Sequence, residues 1–324
     1  MTVSKTASEA APNDTTNTGQ GLMAAVRRFW AWSGKVCEQT GLRRLRARVG
    51  FVVKALALRE DLDAFAGARP GSPLARAFEQ RPEMVGAAVW PYICARWDGQ
   101  RRLAQIRSHY DAVDAIGGVV DFPIDQSRQL LDLAAEHEGL KVVLDQPRWF
   151  MREGQLVLNL FAGDVRIYSI AFSLGRENGA TVAWIGAIQG GNSEGVMADY
   201  KDLTKALHGM RPRDFLVELV RSLCRSLGVS KIMAVADASR QHRAAYFGAA
   251  KSETLSLNYD EIWTERGAQK VTDDFFSLAI EAPLKSLDDV PSKKRAMYRR
   301  RYELLESLDS RIAEAVAAGK ESAA

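Results

Sequence analysis

The sequence predicts an α+β protein, with a helical N-terminal half followed by a mainly antiparallel sheet and its flanking helices. Three observations carry that expectation. Apolar residues recur at three- and four-residue steps before residue 116 and alternate at every second position between Gly139 and Gln189. They return to helical spacing after Gly190-Gly191. Strands grouped in hairpins, rather than alternating singly with helices, exclude a doubly wound sheet. The expected organisation is a disordered tail over 1–20, a helical region over 21–120, an α+β domain over 121–290 and a basic C-terminal helix over 291–324.

The tail is rich in Ala, Thr, Asn and Ser and holds too little apolar surface to offset its ordering entropy. Leu22, Val26, Phe29, Trp30 and Val36 then mark one helix, and Leu42, Leu45, Val49, Val52, Val53 and Leu56 mark a second. The cluster Gly67-Ala-Arg-Pro-Gly-Ser-Pro73 is a turn, and a further helix over about 97–115 carries His109 and Tyr110. Glu153-Gly154 turns the chain into a strand in which Leu156, Leu158 and Leu160 alternate with Val157, Asn159 and Phe161. Strands over 165–174 and 181–188 form a hairpin around Asn178-Gly179, because that pair tolerates positive φ at both central positions. The second of them is apolar on both faces and belongs at the centre. Helices over 197–207 and 213–227 follow, the latter with Pro212 at its first position and Gly228 as its stop. Strands over 231–236 and 275–280 and a charged helix over about 292–318 complete the chain.

The 324 residues are 47% apolar and 26% charged, with 44 Lys plus Arg against 40 Asp plus Glu, a net charge of +4. That balance is too small to imply a nucleic-acid or membrane partner by itself, and nucleic acid ranks last among the partners considered. No run of 18 apolar residues is present, and the first 20 residues lack a secretory h-region. Three widely spaced cysteines suit a reduced compartment, so the expected location is the cytoplasm. His109, His137, His208 and His242 show no paired-ligand spacing and no Cys-x-x-Cys occurs, so no metal is expected.

Four separated blocks resemble the VirK/YbjX family of bacterial proteins, catalogued as a domain of unknown function. They are Ile185-Gly-Ala-Ile-Gln-Gly190, Leu203-Thr-Lys-Ala-Leu-His-Gly-Met-Arg-Pro-Arg213, Tyr259-Asp-Glu-Ile-Trp263 and Ser292-Lys-Lys-Arg-Ala-Met-Tyr-Arg-Arg-Arg-Tyr302. The resemblance covers about residues 100–310 and implies links to virulence, envelope stress and antimicrobial-peptide resistance. It implies no catalytic residue.

The segment His208-Gly-Met-Arg-Pro-Arg213 has a second resemblance. Gly209 permits unusual backbone angles, Pro212 starts a helix, and the free N–H groups of its first turn form a positive pole. With Arg211 and Arg213 added, it reads as a phosphate seat; equally, Arg211 caps carbonyls or pairs with Asp214. The order of central strand, loop, helix and next strand resembles the acyl-CoA-binding half of GNAT-type acyltransferases. Their Gln/Arg-x-x-Gly-x-Gly/Ala signature is absent here. The resemblance implies an acyl thioester held beside a splayed strand and attacked by an amine or hydroxyl. Gln189, Thr204, Lys205, Gly209, Arg211 and Arg213 are then the contacts for acyl-CoA or another phosphorylated small molecule. His208 is either the proton-handling group or an ordinary hydrogen-bonded loop histidine.

Tyr259, Asp260 and Trp263 form either a substrate wall or a core segment with its acids outward. Arg299 belongs to six cations in the nine residues 293–301, which either neutralise a phosphorylated ligand or face water. Gly191-Asn-Ser-Glu-Gly195, followed by Asp237 and His242, matches a hydrolase pattern. The antiparallel hairpin before it and the short Asp–His spacing assign it to turn chemistry. Residues 21–60 hold nine Lys/Arg against two acids. With Phe29, Trp30, Trp32 and Phe51 interleaved, they either lie on an anionic membrane surface, peripheral to the inner membrane, or pack on the α+β domain. The expected activity is acyl transfer in envelope modification or stress resistance. The alternative is a non-enzymatic factor that binds a membrane or a protein client.

Overall fold

A computed structural model describes residues 15–191, 196–248 and 257–321. Helices come first: α1 (Thr15–Val36), α2 (Gly41–Ala57), α3 (Arg59–Ala66), α4 (Pro73–Gln80) and α5 (Gly99–Ile116). α1 starts inside the segment expected to be a tail, and residues 1–14 lie outside the described part. The helical region ends by Val120, so it is about the first third of the chain and not half of it. The turn cluster before α4 supplies its start: Ser72 accepts the Ala75 N–H at 3.3 Å and Pro73 takes the first helical position. Asp98 caps α5 by accepting the Arg101 N–H at 2.8 Å. α1 and α2 pack as a pair through Phe29, Phe51 and Ala55, while Arg48 donates to Ser33 and to the carbonyl of Trp30.

The sheet has eight strands: β1 (Ser127–Asp132), β2 (Leu140–Asp145), β3 (Leu156–Ala162), β4 (Val165–Glu177), β5 (Ala180–Gly190), β6 (Val229–Val235), β7 (Gln269–Lys270) and β8 (Phe275–Leu278). Their order is β1-β2-β3-β4-β5-β6-β8-β7. The first five form an antiparallel meander, β5 and β6 are parallel, and β8 runs antiparallel to both its neighbours. Asn178 and Gly179 turn the β4–β5 hairpin with φ of 50° and 81°, the double positive φ that this pair was expected to supply. β1, β2 and β7 extend the sheet beyond the strands read from the periodicity.

The parallel step from β5 to β6 requires a crossover, and α6 (Val196–Ala206) and α7 (Pro212–Ser226) supply it. α7 buries Phe215, Leu216, Leu219, Val220 and Leu223, the stripe expected from its spacing. α8 (Tyr259–Glu265) stands between β6 and β7 in the chain. α9 (Ser292–Glu321) buries Leu308, Ile312 and Val316 and runs along α7 to the β1 side of the sheet. Arg225 of α7 pairs with Asp309, and Arg311 reaches Glu136 at 3.1 Å and the carbonyl of Asp132. One apolar core joins the helical region to the sheet, from Phe29 and Phe65 to Leu158, Phe172 and Ile185.

The two longest strands outrun their partners. β4 continues past the start of β3, and there Gln105 and His109 of α5 take the C=O and N–H of Leu174 at 2.9 and 3.1 Å. β5 continues past Ile185, its last residue in register with β6, and Tyr259 serves the buried backbone of Ile188 that β6 does not pair. Side chains thus complete hydrogen-bond ladders that backbone leaves open.

Candidate functional site

β5 outruns β6, and the wedge, the region beyond Ile185, is shaped by glycines. The register between β4 and β5 shifts around Gly186, where a bulge redirects the strand just as its pairing with β6 ends. A Cβ on Gly186 would overlap the carbonyl oxygen of Glu153, and one on Gly154 would overlap the backbone of Phe172. These two positions let the 153–154 turn lie flat against β4 and β5. Glu153 is thereby carried into the interior, only 4% exposed.

A buried carboxylate needs partners, and Glu153 has them. Its Oε1 lies 3.3 Å from Nδ1 of His242 and 3.4 Å from Nε2 of Gln241. The Gln241 amide is also 2.9 Å from Nε2 of His242. Gln241 is itself buried, and its Oε1 has no hydrogen-bond partner among the described residues. The Tyr259 hydroxyl accepts the N–H of Ile188 and donates to its C=O, both at 3.0 Å; burial pushes its pKa up to about 12, so it stays protonated. The Arg240 guanidinium covers the Tyr259 ring at 3.7 Å and donates to Asp237 and the carbonyl of Leu257. Burial works against the charge of Asp237, but the N–H of Tyr259 and the guanidinium of Arg243 outweigh it and hold the carboxyl below its usual range. The wedge therefore combines an imidazole backed by a buried carboxylate, an unsatisfied amide oxygen and a neutral phenol.

The residues expected to form the site from sequence fall into several places. Gly209 and Arg211 line a cleft of about 590 Å³ with Lys285, Tyr298 and Arg301. Arg211 and Arg213 do not point into an empty mouth: each holds both Asp214 and Glu265. The hydrogen bond from Arg211 keeps the Glu265 carboxyl below its usual range. Arg266 approaches Asp214 at 3.7 Å, so three guanidinium groups face two carboxylates. His208 has φ of 52° and meets α9 through its carbonyl, which accepts two bonds from Arg301. Thr204 donates to the carbonyl of Tyr200 in its own helix, and Lys205 is exposed.

Gln189 is exposed beside Trp149, Arg166 and Ser169, in a hollow of about 520 Å³. Tyr259 and Trp263 share one helical face and are both buried, with Trp263 donating to the carbonyl of Val235 at 2.9 Å. Asp260 accepts the N–H of Asp237 and pairs with Lys270. Arg299 is exposed on α9. Of the expected set, then, the structure places Gly209 and Arg211 in one cleft, links Arg211 to Arg213 through Asp214 and Glu265, and sends Tyr259 to the wedge. The pattern residues 192–195 lie outside the described residues.

Sequence reasoning does not single out Glu153 or Gln241, and His242 enters it only within the hydrolase pattern. Glu153 sits before a glycine, where a surface turn is the ordinary expectation. A polar run Asp237–Arg243 directly after a buried strand was the available signal, because ligands gather at the carboxyl ends of parallel strands.

The family profile described as "Protein of unknown function (DUF535)" matches residues 40–314. An uncharacterized protein of Haemophilus influenzae is 37% identical over 130 residues, 40% of this chain and 42% of that protein. A further match, also an uncharacterized protein of Haemophilus influenzae, is 32% identical over 186 residues, 57% of this chain and 60% of the other. The uncharacterized protein YbjX of Escherichia coli K12 is 25% identical over 229 residues, 69% of each chain. The matched stretch spans less than two thirds of either Haemophilus protein. No solved structure matches.

Proposed function

The chain belongs to the DUF535 family of proteins of unknown function, and within that frame we propose that it is a GNAT-like acyltransferase. It moves an acyl group from a CoA-type thioester to an amine or hydroxyl acceptor. The observation that carries this reading is the wedge beyond Ile185, where a bulged central strand outruns its parallel neighbour and the turn bearing the buried Glu153–His242 pair lies against the bulge. An antiparallel meander, a helical crossover to a parallel strand and a returning antiparallel strand support the same topology.

The chemistry follows from the groups present. The acceptor nitrogen attacks the thioester carbonyl, a C–N bond forms and the C–S bond breaks. His242 takes the proton from the nitrogen and returns it to the departing sulfur, ending neutral. Glu153 holds Nδ1 and stabilises the imidazolium formed in between. The acceptor takes the position at Nε2 that the Gln241 amide now fills. Tyr259 is a positioning residue that keeps the free edge of β5 satisfied. The proton-handling role is better supported at His242 than at His208, whose hydrogen bonds among the described residues are made by its main chain. A donor phosphate reaches Arg211 and Arg213 only by displacing Glu265. An envelope acceptor accords with what the VirK/YbjX resemblance implies.

Calorimetric titration with acetyl-CoA and longer acyl-CoAs, paired with thiol release in the presence of primary amines, tests the proposal. Binding is expected for at least one chain length, with thiol release slowed by about a hundredfold or more in His242→Ala. Absence of both binding and release across the series sinks it.

A further inference from the structure

The spacing of α2 is helical as expected, but the face that its regular residues share is not the buried one. Phe51, Val52 and Ala55 pack inward, whereas Leu42, Leu45, Val49 and Val53 are 76%, 50%, 49% and 63% exposed. At 3.6 residues per turn these four fall within an arc of roughly 80°. A continuous apolar stripe over three turns of helix thus faces outward, which scattered surface leucines do not produce.

The charges beside the stripe indicate its occupant. α2 contains five cations and no acid. Arg44 and Arg48 are used inward: Arg44 donates to the carbonyl of Gly34, and Arg48 clamps Ser33 and Trp30 and lies 4.1 Å over the Trp30 ring. Arg43, Arg46 and Lys54 are exposed on the flank next to the stripe. An apolar band bordered by cations is the pattern of a helix lying in the plane of an anionic interface, with its hydrocarbon in the acyl layer and its charges among the headgroups. A second copy of the chain fits less well, since a two-fold contact would set the same cationic flanks against each other. The helix does not cross the bilayer: among the described residues none is long and apolar enough to do so.

We propose that the Leu42–Val53 face of α2 docks the protein onto an anionic phospholipid surface. This inference is independent of the acyl-transfer reading, and its test needs no substrate. The full chain is sedimented with vesicles of phosphatidylcholine alone or mixed with phosphatidylglycerol. Binding is expected only with the anionic mixture, and it should weaken as salt is raised. The triple variant Leu42→Gln/Leu45→Gln/Val53→Gln changes exposed positions only and should keep its melting curve while binding falls roughly tenfold or more. Arg43→Glu/Arg46→Glu should produce a comparable loss by charge alone. Equal binding to neutral vesicles, no binding to either, or undiminished binding by both variants overturns the proposal. A lipid-free dimer that the triple variant abolishes also overturns it, assigning the face to a second copy.

Discussion

The imidazole of His109 accepts the backbone N–H of Leu174 at 3.1 Å, in a site closed to solvent. Burial lowers its pKa from 6.5 to about 3. A neutral ring is what the acceptor role requires.

The first prediction concerns acid. The unfolded chain protonates this histidine near pH 6.5, whereas the folded chain resists until about pH 3. Protons therefore favour the unfolded state throughout that window. The stability tied to neutral His109 is complete above the window and declines as pH falls through it, on the order of 1 kcal/mol per pH unit. Urea midpoints measured from pH 7 to pH 4 should show the decline, and His109→Gln should flatten it. An unchanged slope in the variant would mean that other groups dominate.

Tyr259→Phe removes the hydroxyl that serves both backbone groups of Ile188. Two buried polar groups then lack a partner, and the expected loss is about 1–3 kcal/mol. Chemical denaturation measures the loss, and amide exchange at Ile188 locates it. Exchange there that is as slow as in the parent chain would contradict the assignment.

His242→Ala and Glu153→Gln address the wedge chemistry. Each should lower kcat/KM for thiol release by about a hundredfold or more. Circular dichroism decides whether folding was spared. A folded His242→Ala protein with parental turnover removes the imidazole from the reaction.

Gly186→Ala pushes a methyl group into the Glu153 carbonyl. The turn must shift, at about 1–3 kcal/mol. The melting temperature should fall and the Glu153–His242 contact should loosen, visible as a shifted His242 ring resonance. A variant as stable as the parent would show that the turn adapts freely.

Glu265→Gln weakens the hold of one carboxylate on Arg211 and Arg213. If donor phosphates sit there, affinity for inorganic pyrophosphate should rise several-fold when titrated calorimetrically. Unchanged or weaker affinity would place the phosphates elsewhere.

Local rules made much of this architecture readable. Asn178-Gly179 fixed a hairpin because its dihedral demand is intrinsic to two residues. The stripe from Phe215 to Leu223 gave α7 for the same reason. α2 shows the limit: periodicity located the helix, yet two apolar faces compete on it, and only its neighbours decide which one is covered. Glu153 lies beyond that limit. Its burial depends on Gly186, thirty-three positions later, having no side chain, and no window around residue 153 contains that fact. The arginine pair was visible as a cluster, whereas its partner Glu265 comes from a helix more than fifty residues away.

The long helix α9 has a temporal consequence. It is translated after every strand, yet it fastens the β1 margin through Arg311 and the loop ahead of α7 through Arg301. A nascent chain halted before residue 300 would therefore emerge from the ribosome with a finished meander and two unlatched ends. Synthesis of α9 supplies both latches, and chaperones would encounter the protein in the interval before that.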